Sequence, residues 1–596
     1  GIANDANGSV NGQLVEEIIR DGTFENPFRT IAQAAAASDA NADNIIFVQE
    51  GNVGGGFTLP DGVQVRSVGP VQQLNTQFGE ATLPGSGSGN LPTVTGQVTI
   101  GNNTLVSGLE IDPDQFENHL EAVLAVREAV NGIEAQGENI TLEDNVIANV
   151  DRGINLPDID GTVSIVRNQI SNTVSDGIFF GNIEGEDNVT VTVANNTLDT
   201  IGNEGIEFGF IQGNAIANIT VANNQITDAQ VDNIFFDDIQ QDAIANITIS
   251  GNVINAENVD PLEEVGGDGI EIDKIENNAN ANITINNNQI SNVAFEGIEI
   301  DDIENDAVAT IHIENNQIDS NETGIEFNNI ENRANANITV AGNTITVAAE
   351  EGIFFDDIEN DTVSNITIAN NNILSAATEG IEFDVIEDSA NATINILNNQ
   401  ISNVGEEGIF FNDIQETATT VITVNGNTIT DAGDDAIEFD RIENDANVTA
   451  IITNNTIINP GIQDTTVENP GDFPSIVIDP PSDDEPDEDD LEELSANVNI
   501  VSNVTAAEAV IEIAEPNGDG VSITHTADTD MCLVLDNNTV INPASDGFDL
   551  ISNGVGQFQG VGLANVTARN VGTFDPADIE TNDGFVNGTE GQAPCL

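Results

Sequence analysis

Carboxylates recur along this chain at fixed intervals, and a carboxylate that meets its own copy must be neutralised by something. Asp237, Asp273, Asp301, Asp356, Asp384 and Asp440 share one repeat position, with Asp238, Asp302 and Asp357 beside three of them. A Glu or Gln follows three residues after each, including Glu276, Glu304, Glu359 and Glu443. If such residues stack about 4.8 Å apart, neighbours repel by roughly 1 kcal/mol at water's dielectric and by several times that where shielded. Splayed side chains, raised pKa values or bridging ions can relieve this. Oxygen donors without nitrogen or sulfur ligands suit calcium, whose variable coordination tolerates a site not built for one geometry. We therefore expect structural calcium at Asp237, Asp238, Asp273, Asp301, Asp302, Glu304, Asp356, Asp357, Glu359, Asp384 and Asp440. Diffuse screening by monovalent salt is the alternative.

Catalysis is a weaker reading of the same residues. A glycosidase needs two carboxylates flanking one bond. The pairs Asp237/Asp238, Asp301/Asp302 and Asp356/Asp357 recur with the repeat, whereas an active site should be singular. His119, His312 and His525 form no cluster in the sequence, and the absence of Trp and Tyr removes the usual platforms for sugar rings. The two cysteines, Cys532 and Cys595, are read as a disulfide clipping the last coils, with free thiols as the alternative.

The elements that position these residues follow from two interleaved motifs. Asn-x-apolar triplets begin at Asn145, Asn168, Asn196, Asn224, Asn252, Asn288, Asn316, Asn343, Asn371, Asn399, Asn427 and Asn455, mostly 28 residues apart. A Gly-Ile-(Glu/Phe)-(Phe/Ile) motif keeps step, beginning at Gly177, Gly205, Asn233, Gly269, Gly297, Gly324, Gly352, Gly380, Gly408 and Ala436. Both series share a single 36-residue interval, which an insertion around Val259–Gly266 accounts for. Short alternating strands separated by Asn, Asp and Gly argue against helices, and one such unit cannot bury its apolar face alone. The expected fold is all-β: a right-handed parallel β-helix, a solenoid of coils of about 28 residues.

Stacking makes each repeat position a column. Ile178, Ile206, Ile234, Ile270 and Ile298 should point inward, as should Phe180, Phe208, Phe236, Phe327, Phe355, Phe383, Phe411 and Phe439. The triplet asparagines should form an amide ladder at a corner. The many Asn-x-Ser/Thr sequons are read as incidental in so asparagine-rich a repeat. Between the inward Ile and Phe an outward position reads Phe179, Glu207, Phe235, Glu271, Glu299, Glu326, Phe354, Glu382, Phe410, Glu438. Glutamate is expected there. Phe179, Phe235, Phe354 and Phe410 suggest a contact surface for another copy or for a foreign partner, or a place covered by a loop of the same chain. An outward threonine column (Thr192, Thr220, Thr248, Thr284, Thr339, Thr367, Thr423) is broken by His312 and Asn395. We read it as strand preference rather than an ice-binding array.

The expected organisation is a lead and capping helix over residues 1–42, with helical spacing in Phe28–Ala40, then irregular first coils over 43–142. Regular repeats over 143–460 precede C-terminal coils over 461–596, from which an acidic loop at 483–493 is extruded. With 103 Asp plus Glu against 10 Lys plus Arg, the formal charge is −93. Such a surface excludes nucleic acid and anionic membranes as partners. No apolar stretch is long enough to span a bilayer. A chain starting at Gly1 fits a secreted product whose signal peptide has been removed.

Asp21-Gly-Thr-Phe-Glu-Asn-Pro-Phe-Arg-Thr-Ile resembles the N-terminal signature of bacterial right-handed β-helix proteins of the pectate-lyase-like superfamily. Asn44-Ile-Ile-Phe-Val, Gly56-Phe-Thr-Leu-Pro-Asp-Gly-Val-Gln-Val and the Leu83-Pro-Gly-Ser-Gly-Ser-Gly run do so too, most nearly those of secreted cyanobacterial-type surface proteins. The resemblance implies the fold and export, in a superfamily that mixes enzymes with adhesins and inert surface rods. Lyases of that kind use an arginine or lysine base beside calcium-binding acids. Here the bases are scattered: Arg152 and Arg167 lie early, Lys274, Arg333 and Arg441 late. The reading that remains is an extracellular structural protein, a rod self-assembling into a filament, sheath or layer with bound calcium. The alternatives are an adhesin or a calcium-dependent polysaccharide lyase or glycosidase.

Overall fold

Alternation of apolar and polar residues every second position makes each segment a strand with one face to bury. In the coil after Asn196, Ile216–Ala222 alternates half-exposed or exposed with buried positions, Gln225–Ala229 follows, and Ile234–Ile239 buries Ile234, Phe236 and Ile239. Each strand pairs in parallel with its counterpart one coil on: Ile216 with Ile244, Gln225 with Val253, Ile234 with Ile270. The same three strand stacks recur beyond Thr339, as in Ile353–Ile358 against Ile381–Ile386 and Val363–Ala369 against Asn391–Leu397. The chain is an all-β parallel β-helix with coils of about 28 residues.

This computed structural model describes residues 26–38, 44–113, 130–185, 188–256, 267–442 and 446–461, and past these the backbone of seven strands between Asn497 and Arg569. The Val259–Gly266 insertion, Glu443, the acidic stretch 483–493 and the Cys532–Cys595 pairing lie outside what is described. The chain divides into two compact units, residues 1–327 with 334–338, and residues 328–333 with 339–596. The N-terminal helix is six residues, Ile31–Ala36, where helical spacing had suggested a longer one from Phe28. Thr30 caps it, accepting from Gln33 N at 3.2 Å, and Ile31, Ala34 and Ala35 are buried. The helix packs on the first strands, Ile45–Val48 and Phe57–Leu59.

Corners are made by left-handed residues, which Asn, Asp and Gly adopt most cheaply. Asn195, Asn223, Asn287, Asn315, Asn370, Asn398 and Asn454, each just before a triplet asparagine, have φ between 54° and 57°, and Gly251, Gly342 and Gly426 take the same place elsewhere. After the Ile-Phe strand two consecutive residues take positive φ, as in Asn277/Asn278, Asn305/Asp306 and Asn360/Asp361, the mark of a type I′ turn.

Inside, like sits on like. Ile178, Ile206, Ile234, Ile270 and Ile298 are fully buried. In the first unit Phe180, Phe208 and Phe236 stack with centroids 4.4 and 4.5 Å apart, after which Ile272 and Ile300 continue the column. In the second, Phe355, Phe383, Phe411 and Phe439 stack at 4.7, 5.1 and 4.6 Å. Rings driven this close by strand spacing bury a large apolar area at a fixed geometry.

The asparagine column is a complete hydrogen-bond ladder. Asn224 Nδ2 donates to Asn252 Oδ1 at 3.0 Å and to the Val193 carbonyl at 2.9 Å. Its Oδ1 accepts from Asn196 N and Nδ2 at 2.9 and 3.0 Å. Both amide hydrogens and both lone pairs are used, in a site the side chain fills without exposure. The run Asn145 to Asn288 repeats the pattern in the first unit, and Asn371 to Asn427 in the second. Replacing Asn224 by Leu removes four hydrogen bonds and strands buried donors on Asn196, so unfolding should become easier by roughly 3–5 kcal/mol. Asn246→Ala, which loses two exposed amide contacts, one donated to Asn218 and one accepted from Asn282, should cost about 1 kcal/mol or less. Urea denaturation of the two variants measures the difference, and equal costs would contradict the ladder's role.

Candidate functional site

The acidic positions singled out above are half-buried on the Ile-Phe strands and the turn that follows. Asp273, Asp301 and Asp302 come together, with one carboxylate oxygen from each within 4.8 Å of the others. A protein cation is already there: Lys274 Nζ lies 2.6 Å from Asp273 Oδ1 and 3.8 Å from Asp302 Oδ2, because Lys274 stands in register between Asp238 and Asp302. Arg441 pairs likewise with Asp413 and reaches Asp440 at 3.8 Å. Elsewhere amides interleave with acids. Asn412 donates to Asp384, Gln415 Nε2 to Glu387 at 2.8 Å, and Gln212 Nε2 to Glu184 at 2.7 Å. Protons relieve part of the remainder. Burial, then the neighbouring Asp237, raises Asp238 to about 6; burial, then Asp357, raises Asp356 to about 6. Burial, then the facing Glu331, raises Glu359 to about 7.

A second acidic column lies deeper, and the sequence reading passed over it. The residue immediately before the Gly-Ile motif is Asp176, Glu204, Asp232, Asp268 and Glu296 in the first unit, where Thr323 before Gly324 breaks the run, and Glu351, Glu379, Glu407 and Asp435 in the second. It faces the outward glutamates three residues later, giving the clusters Asp176–Glu204–Glu207, Asp232–Asp268–Glu271, Asp268–Glu296–Glu299 and Glu351–Glu379–Glu382. The signal was available: the motif is an acid followed by Gly-Ile, but its first residue read as turn punctuation. Asp232 Oδ1 accepts the Asp268 N–H, and Asp268 Oδ1 accepts the Glu296 N–H, both at 2.9 Å. Burial, reinforced by neighbouring acids, pushes Glu204 and Glu207 up to about 8, Glu382 and Glu407 to about 9 and Glu271 to about 10.

The phenylalanine positions are half-buried rather than fully exposed. Each is flanked in register by polar residues: Phe179 by Asn155 and Glu207, Phe235 by Glu207 and Glu271, Phe410 by Glu382 and Glu438, and Phe354 by Glu382 on one side. Phe179 is roofed by Arg152, whose guanidinium carbon lies 3.8 Å from the ring centroid, a cation–π contact. Thr192, Thr220, Thr248, Thr284 and His312 stand in register on the long strands, so the histidine interrupts the threonine column where the sequence places it. Among the described residues no helix is long and apolar enough to cross a membrane.

Residues 274–457 match a family model described as right handed beta helix region. No curated protein and no solved structure matches the chain significantly.

The buried acids set a pH dependence of definite sign. An acid whose folded pKa is raised holds its proton in the native state after the unfolded chain has released it, so stability falls as pH rises. The contribution is complete below the ordinary glutamate value of 4.5 and is lost as pH climbs through about 7 to about 10. Without divalent cations, the melting temperature should therefore be higher near about pH 5 than near about pH 9. Thermal melts followed by circular dichroism would detect it, and a rise in stability with pH would contradict the buried ladder.

Proposed function

We propose that this is an extracellular structural protein, without catalytic activity, whose β-helix associates with further copies of itself and binds calcium. The observation that carries the reading is the half-buried aromatic set Phe235, Phe354 and Phe410, in a column where register otherwise places glutamate. An isolated ring among carboxylates gains little from that position in a lone chain. Buried against a second copy, each half-buried ring gains a fraction of the about 1.5–3 kcal/mol that full burial of an exposed one gives. Phe179 contributes through the ring and the Arg152 above it.

The charge supports the reading from another side. A strongly anionic chain resists association unless cations accompany it, and its oxygen-only acidic clusters are matched to calcium. The paired carboxylates recur from coil to coil, which suits a distributed structural role better than one catalytic centre.

Replacing Phe179, Phe235, Phe354 and Phe410 together by Glu makes these coils resemble their neighbours. The circular dichroism should be retained and assembly, followed by light scattering and negative-stain microscopy, abolished. Filaments that form unchanged would remove this face from the account, and isolated wild-type particles under all calcium conditions would favour an adhesin. Separately, calcium at constant ionic strength should raise the melting temperature well beyond matched sodium. If a chelator changes neither melting nor assembly, the acidic faces are screened by salt alone.

A further inference from the structure

Among the acidic clusters, Asp176–Glu204–Glu207 is set apart by a buried carboxylate without a hydrogen-bond donor. Asp176 is 1% exposed. The equivalent Asp232 and Asp268 each accept a backbone N–H from the next coil, but Asp176 accepts no hydrogen bond through either oxygen. Its Oδ2 lies 2.6 Å from Arg152 Nε. Its Oδ1 meets no donor, since the groups brought against Asp176 are the carboxylates of Glu204 and Glu207, one oxygen of each residue lying within 4.8 Å of the others. Three carboxylates thus face one guanidinium. That guanidinium is also held elsewhere, with Nη1 donating to Asn155 Oδ1 at 3.2 Å and its plane over Phe179. A buried acceptor with no donor is costly, and without an ion Glu204 and Glu207 avoid adding like charge beside it only by holding protons above the usual glutamate range.

We propose that Asp176, Glu204 and Glu207 bind one calcium ion, with Asp176 Oδ1 as the anchoring ligand. All donors are oxygen, as a hard cation requires. Calcium's flexible coordination accommodates three carboxylates not arranged to one fixed geometry, whereas magnesium demands a near-ideal octahedron and gives up its water reluctantly. Glu204 and Glu207 are only half-buried, which leaves an entry path and room for water to complete the coordination. In the Asp273–Asp301–Asp302 cluster Lys274 Nζ reaches two of the acids, whereas here the Arg152 ion pair engages Asp176 Oδ2. The inference deepens the calcium part of the proposed function and does not depend on self-association. A chain that assembles but binds no calcium here would overturn the site and leave the assembly reading standing.

The test is calorimetric titration of calcium chloride into the full chain, stripped of metal and held in physiological sodium chloride. The wild type should bind calcium saturably, and Glu204→Gln with Glu207→Gln should bind one fewer ion per chain. Asp273→Asn with Asp302→Asn should retain that ion. No saturable binding by the wild type, or equal stoichiometry in the Glu204→Gln/Glu207→Gln variant, would overturn the proposal, as would magnesium binding as tightly as calcium. If that variant fails to fold by circular dichroism, Arg152→Gln decides. It keeps all three ligands and removes the competing guanidinium, so calcium affinity must rise severalfold, and unchanged or weaker affinity overturns the site.

Discussion

Parallel stacking of coils in register places every side chain against its own counterpart, about 4.8 Å away, and the rest of this structure is a set of answers to that constraint. An amide answers it completely, because it carries both donor and acceptor: Asn196, Asn224 and Asn252 join through identical bonds. Isoleucine and phenylalanine answer it by dispersion and area. A carboxylate cannot answer it alone, since it only accepts. The polar chemistry of this chain is therefore concentrated where acids recur.

The structure relieves that conflict differently at different depths. Near the surface, Asn412 and Gln415 stand on the rung after an acid and donate to it, and Lys274 takes an acid's place in the column. Deeper, Asp232 and Asp268 borrow backbone N–H groups, while Glu271 and Glu407 retain protons. The basic side chains show the same economy. Arg66, Arg152, Arg167, Lys274 and Arg441 each sit against a carboxylate, so these scarce positive charges are paired with acids even where, as at Arg167 and Arg441, the side chain is exposed.

Much of this was legible in the sequence because period and register are the same information in a solenoid. Two motifs sharing one period fixed which residues stack, hence the Ile and Phe columns and the asparagine ladder. What escaped has a physical reason. Periodicity says which residues share a column but not how deep a corner residue sits, so Asp176 and Asp268, next to the Gly-Ile motif, passed as turn residues although they are buried. Nor does it say how closely an arginine one coil away can approach, so the Arg152 stack on Phe179 was invisible. The helix was overextended at its start because alanine-rich spacing does not show where a helix begins, which here is set by the Thr30 cap.

The amide ladder has a further consequence for how such a gene can change. Asn224 presents to Asn252 the same pair of donors that Asn196 presents to Asn224. A coil therefore cannot distinguish its natural neighbour from another copy of the repeat. Duplication or loss of one whole repeat leaves every rung matched, whereas a shift of a few residues within a strand would set asparagine against isoleucine. For the amide ladder, then, the number of coils is unconstrained while the spacing within each coil is held fixed.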